Sequence, residues 1–188
     1  GAIFSGFAMV LTIAIPLRAI FHLKAYVTER HLDNMAKVML ASGLILAYGY
    51  MNEFFLGWYS GDIYERAHLV NEMTSTYAIC FWLMIVCNMV APQLLWVRRF
   101  RVNPILLFTL SIIINVGMWT ERFVIIVSSL AKDFVPSSWG AFYPTIWDWA
   151  TFVGTLGFFA ACYFLFIRFL PLMSMAEMRK LAHEKKEA

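Results

Sequence analysis

The chain has 188 residues, 61% of them hydrophobic and only 14% charged, and its formal net charge is +3. A water-soluble domain of that length has too little interior to hide so much apolar surface, and a mean hydropathy of +0.69 points to lipid as the solvent for much of it. No basic patch is interleaved with aromatics, which excludes the stacking grooves that bind single-stranded nucleic acid.

Five apolar segments are long enough for the roughly 20 residues that a helical crossing needs: 1–21, 36–59, 73–97, 104–130 and 148–171. Lipid leaves every backbone polar group to be satisfied within its own segment, so each is expected to be a helix. The predicted fold class is all-α: a polytopic membrane protein of about five transmembrane helices, forming a four-helix bundle plus a flanking helix over 1–171, with a cytoplasmic tail at 172–188. The first span opens GAIFSGFAMV, with neither a charged leader nor a cleavage site. This reads as the C-terminal part of a longer protein. Pro16 and Pro92 fall late in their spans, where a kink or an unwound end is tolerable.

Lys and Arg placement predicts orientation. Arg18, Lys24, Arg30 and Lys37 surround the first connection, Arg98, Arg99 and Arg101 fill the third, and Arg168, Arg179, Lys180, Lys185 and Lys186 lie at the C-terminal end. The connections 60–72 and 131–147 hold only Arg66 and Lys132. The first, third and last connections are therefore expected in the cytoplasm, and 60–72 and 131–147 outside. An odd number of spans with an outer start again implies helices upstream. The outer connections carry Trp58, Tyr59, Tyr64, Trp139, Tyr143, Trp147 and Trp149, the composition of an interfacial aromatic belt. The segment 131–147 is long for a plain turn and is expected to fold over the outer face. The tail, with Met173, Met175, Met178 and Leu181 among charges, reads as a short amphipathic helix on anionic lipid or as a frayed end.

The acids in or beside spans are Glu53, Glu72, Glu121 and Asp148, all toward the expected outer side. Glu121 is the deepest, roughly 13 Å below the end of its helix at 1.5 Å per residue. A charge at that depth costs at least about 2.5–3.5 kcal/mol, so it must face the bundle interior, water or a partner. Small and polar residues keep these acids company at helical spacing: Gly49 and Gly57 with Glu53, Gly117 before Glu121, Ser111 and Asn115 in a stripe with Arg122, Thr151 and Thr155 with Asp148, Thr76 and Cys80 with Glu72. Glu121 and Arg122 project about 100° apart, so each is expected to pair with another helix, with Glu53, Glu72 and Asp148 as candidates for Arg122. Burial raises and a guanidinium lowers a carboxylate's affinity for protons, so neighbouring Glu and Arg can hold a carrier between those tendencies. Two readings stay open: structural ion pairs that weld the bundle, or a proton path through Glu53, Glu121, Arg122, Asp148 and Glu72. At a helix start Glu72 and Asp148 also suit the helix dipole.

The remaining reactive side chains offer no metal or haem site. His22, His31 and His68 lie in connections or at span ends and His183 in the tail, so no pair of imidazoles faces a buried haem. Cys80, Cys87 and Cys162 lie in apolar runs without a CxxC, and no Cys/His cluster has zinc or iron–sulfur spacing.

Three stretches carry a resemblance: GAIFSGFAMVLTIAIPLR (1–18), HLDNMAKVMLASGLILAYGYMNEFFLGWYSG (31–61) and MWTERFVIIVSSLAKDFVPSSWGAFYPTIWDWATFVGTLG (118–157). Together they resemble the NrfD/polysulfide-reductase family of integral membrane subunits, and within it the quinol-oxidising membrane subunit of bacterial alternative complex III. The resemblance implies two four-helix bundles in a bacterial inner (cytoplasmic) membrane protein with a cytoplasmic C-terminus, not catalytic by itself. It implies quinol or menaquinol as substrate, no cofactor bound directly, and iron–sulfur clusters and haem c in partner subunits beside a second homologous membrane subunit. The family's quinol pocket is built largely from an N-terminal bundle that this sequence does not contain, so its residues are not carried over. The bundle present here is the half in which a proton path is expected. The rival readings are a secondary transporter or proton channel, and a purely structural anchor.

Overall fold

A computed structural model of the protein describes residues 1–74, 77–131 and 140–170. Among these residues the fold is all-helical, without a strand. Two compact units divide the chain, Gly1–Ala141 and a second that begins at Phe142. Five helices are long and apolar enough to cross a membrane: α1 (Ala2–Ile20), α2 (Glu29–Tyr59), α4 (Ala78–Trp96), α6 (Pro104–Ser128) and α7 (Ile146–Phe169). Two short helices join them, α3 (Ile63–Thr74) and α5 (Arg98–Val102). The five expected spans are therefore present, with ends within a few residues except at the starts of α2 and α4.

In the first unit the four long helices form a ring in which α1 packs on α2 and α6, and α4 packs on α2 and α6. One apolar core fills the ring. It joins Phe4, Ala8 and Leu11 of α1, Leu32, Ala36 and Met39 of α2, Ala91 and Leu95 of α4, and Leu107, Leu110, Ile114 and Met118 of α6. A smaller cluster of Phe81, Met84 and Val124 lies near the α3 end of the bundle. Small residues allow the close approaches: a Cβ on Gly43 would stand 2.9 Å from the Phe4 ring, and one on Gly57 2.6 Å from Leu69 Cδ1 of α3.

The connection 60–72, read from sequence as an outer loop, is mostly the helix α3. Asp62 starts it by accepting the Tyr64 N–H at 2.8 Å, and its Leu69 meets the Gly57 gap. Arg66 closes the corner, donating to the Trp58 carbonyl at 2.8 and 3.1 Å and lying over the Trp58 ring. The third span thus begins at Ala78, not at 73, and Glu72 belongs to α3. Glu72 and Cys80 consequently do not share one helix face. Thr76 lies outside the described residues, as do Lys132, Trp139, most of the expected outer flap and the tail from 171 onward.

At the opposite end, α2 begins at Glu29 instead of 36, because Thr28 and His31 form a capping box with Oγ1 and Nδ1 2.8 Å apart. His31 is therefore a capping residue. Arg101 of α5 donates to Asp33 at 2.7 Å and to the carbonyls of Leu95 and Trp96 at 2.7 and 2.9 Å, tying the end of α4 to the start of α2. Within α4 the helix widens to a π-turn at Val86–Val90 and tightens to a 3₁₀ stretch at Ala91–Trp96. Pro92 accounts for the change, since it has no N–H to give the Asn88 carbonyl and its ring would clash there in an α-helix. The second unit presents α7, whose start is another capping box, between Thr145 and Asp148.

Candidate functional site

Glu121, the deepest acid of the sequence, sits on the third-last turn of α6 and is only 5% exposed. Its two oxygens have different surroundings. Oε2 accepts the hydroxyl proton of Tyr50 from α2 and an N–H of Asn88 from α4 at 3.3 Å. Asn88 Nδ2 also donates to the Tyr50 oxygen at 3.2 Å, so three helices meet in one polar triad. Oε1 points away from that triad, 3.9 Å from Arg122 Nη2. A buried carboxylate held by two donors on one oxygen is fixed in orientation, and the other oxygen is left for exchange.

Asn88 is fully buried, and its Oδ1 has no hydrogen-bond partner among the described residues. That oxygen lies against Gly117: a Cβ there would fall on it and within 2.5 Å of the Cys87 Cβ. Gly117 is therefore the gap in α6 through which the Asn88 amide reaches Glu121. The π-turn of α4 carries Asn88 at its centre, and a second π-turn, Val124–Ser128, follows Glu121 on α6. Such turns recur at functional sites because they re-aim side chains without breaking the helix.

Glu121 opens on a pocket of about 640 Å³ between α1, α2 and α6, lined by Ser42, Ile45, Gly49, Tyr50, Glu53 and Ile125 among others. Glu53 shares a pocket with Glu121, and Gly49 borders open space instead of a neighbouring helix. Glu53 is also within electrostatic reach of Glu72 and His68. Glu72 accepts the Ser128 hydroxyl at 3.0 Å and stands 3.6 Å from His68 Nδ1. A file of titratable groups thus runs from buried Glu121 through Glu53 to the α3 end.

The other two expected residues stand differently. Arg122 does not meet an acid of another helix: its ion-pair partner among the described residues is Glu121, its sequence neighbour, and its side chain is 62% exposed. The long guanidinium arm reaches back around the helix, which the 100° offset of Cα–Cβ bonds does not prevent. Asp148, in the second unit, accepts the N–H and the hydroxyl of Thr145 at 2.7 Å each and serves as a helix cap. Thr151 and Thr155 spend their hydroxyls on carbonyls of their own helix. Asn115 donates to Thr12 of α1, and Ser111 to the Leu107 carbonyl.

Tyr50 and Asn88 are site residues that sequence reasoning missed. Asn88 carries a usable signal, an amide inside an apolar span. Tyr50 carries none, because one uncharged tyrosine in an aromatic-rich span does not stand out as a polar group. Among the described residues no group of three or more His, Cys, Asp or Glu side chains is placed to hold a metal ion.

The family model described as "Polysulphide reductase, NrfD" matches residues 1–132, which takes in the first unit from α1 to the end of α6. The integral membrane subunit of a menaquinone reductase from Nitratidesulfovibrio vulgaris is 29% identical over 90 residues. That alignment covers 47% of this chain and 22% of the relative's length.

Proposed function

This chain belongs to the polysulphide reductase NrfD family, and from that premise we propose that it is part of the membrane subunit of a respiratory quinol oxidoreductase of the alternative complex III type. In this reading quinol or menaquinol is oxidised in the helices of the longer protein, and its electrons leave through iron–sulfur and haem c partners in the bacterial inner membrane. Quinol oxidation releases protons with its electrons, and this bundle handles the protons. A quinone-linked relative supports the substrate class.

The observation that carries the reading is the asymmetric carboxyl of Glu121, with Oε2 pinned by Tyr50 and Asn88 and Oε1 turned to the pocket it shares with Glu53. Oε1 takes up and releases the proton, while the triad keeps the group from rotating out of line. Glu53 is the next carrier, and Glu72 with His68 and Ser128 forms the exit. Arg122 places its guanidinium 3.9 Å from Oε1.

The first test is purification of the full-length protein in mild detergent. Co-purifying iron–sulfur and haem c chains, with haem reduced on adding quinol, are expected; a protein that purifies alone and without redox absorbance returns weight to a transporter. Glu121→Gln should then lower quinol turnover by about tenfold or more while the complex still assembles. Wild-type turnover in the assembled variant removes Glu121 from the mechanism, and loss of assembly with normal specific turnover marks a structural anchor.

A further inference from the structure

We infer that the proton path in this bundle is one-sided: Glu121 exchanges protons with the α3 end only, and the half of the bundle toward α5 is closed. The inference rests on the reading of Glu121 as a proton carrier and adds the direction of its access.

Two observations carry it. On the α3 side, titratable groups follow one another from Glu121 to Glu53 and on to Glu72 and His68, and an open pocket joins the first two. On the α5 side, the ring is filled by Ala8, Leu11, Met39, Leu95, Leu107 and Ile114, with hardly any surface left accessible. Leu107 lies roughly 21 Å beyond Glu121 along α6 at 1.5 Å per residue, so the sealed stretch covers most of a hydrocarbon core. The polar groups within it are already committed: Ser111 to the Leu107 carbonyl, Asn115 to Thr12, and Thr12 to the Ala8 carbonyl. No Asp, Glu, His, Lys or Arg occurs in 2–17, 38–49, 89–97 or 104–120. The next charged groups lie at the far end, where Asp33 pairs with Lys37 and Arg101, and Arg18 holds its Nε buried without a hydrogen-bond partner among the described residues.

The groups that face Glu121 agree with a terminus, not a waypoint. From α2 come Tyr50, with Glu53 and Ser42 across the shared pocket, from α4 Asn88, and from its own helix Arg122. From α1 come only the main chain of Gly1 and apolar side chains. Among the described residues every acid and imidazole near Glu121 lies level with it or closer to α3, and Ser42, which lines the same pocket on the α5 side of Tyr50, gives its hydroxyl to the Val38 and Met39 carbonyls. A proton accepted at Oε1 therefore leaves by the side on which it entered, and this half of the subunit is a proton port and not a conduit across the membrane.

The test uses the full-length protein in its complex, in sealed vesicles of one orientation. Single cysteines replace Glu72, Glu53 or Ser111 in a background without other cysteines, and a charged, membrane-impermeant thiol reagent is applied to one face at a time. Glu72→Cys and Glu53→Cys are expected to label from the α3 face only, and Ser111→Cys from neither. Labelling of Ser111→Cys from the α5 face, or of Glu53→Cys from both faces, overturns the inference. A second readout needs no cysteine. In the otherwise unmodified complex, the infrared carboxyl signal that Glu121→Gln abolishes should respond to a pH step on the α3 face and not on the α5 face. A response to the α5 face overturns the inference. Both measurements report access and not turnover, so a complex that oxidises no quinol yet shows one-sided access refutes the functional reading alone.

Discussion

Glu121 Oε2 accepts from two side chains, one on the neighbouring helix α4 and one on α2 across the ring, and those two also bond to each other. Removing one partner therefore weakens the triad without dismantling it. Tyr50→Phe deletes the hydroxyl donor and the Asn88 acceptor but leaves the Asn88–Glu121 bond. It should cost about 1–2 kcal/mol of stability in mixed-micelle unfolding, since bonds to a carboxylate exceed the modest mean for polar contacts in membranes. If Tyr50 positions the carrier, turnover falls while KM for quinol stays unchanged. A raised KM with normal turnover would instead give Tyr50 a place in substrate binding. Sequence reading located Glu121 correctly as an interior acid but not its partners, because a tyrosine and an amide become a site only once their helices are rotated toward one another.

Helix contacts depend on what each glycine faces, and spacing alone ranks them wrongly. Gly49 looks like a contact residue by its spacing with Glu53 and Gly57, yet a Cβ there meets nothing within 4 Å. Gly49→Ala should thus leave stability unchanged or raise it by up to ~1 kcal/mol through helix propensity. Gly117→Ala drives a methyl into the Asn88 amide and the Cys87 Cβ, and should cost about 1–3 kcal/mol and splay α4 from α6. Equal melting temperatures for the two variants would contradict this account. At the α5 end, Arg101 stands between Asp33 and two terminal carbonyls, and its side chain is 15% exposed. Arg101→Gln leaves those acceptors short of donors and should cost about 2–3 kcal/mol. A loss no larger than that of Arg98→Gln would reduce Arg101 to one more surface charge.

For the whole molecule, the distribution of Lys and Arg makes one prediction that helix packing does not address, namely which end faces the cytoplasm. A single cysteine at Arg99 should label from the cytoplasmic side and one at Ser60 from the outside. The reverse result would turn the proton port inward. Sequence by itself determined the number and helical nature of the crossings and the crowding of acids toward one end. An apolar run of bilayer length is a one-dimensional property, and lipid admits few alternatives to a helix. Loop 60–72 escaped this logic, because a short amphipathic helix at an interface has no span-like run to reveal it. Only the tertiary structure decided which side chains hold the buried acid, which of its oxygens is pinned and which half of the ring is sealed. Tyr50, Asn88 and Glu121 lie 33 to 71 residues apart along the chain. Their meeting depends on the rotation of α2, α4 and α6 about their own axes, and that rotation is set by packing among Phe4, Gly43, Cys87 and Gly117 rather than by any local pattern.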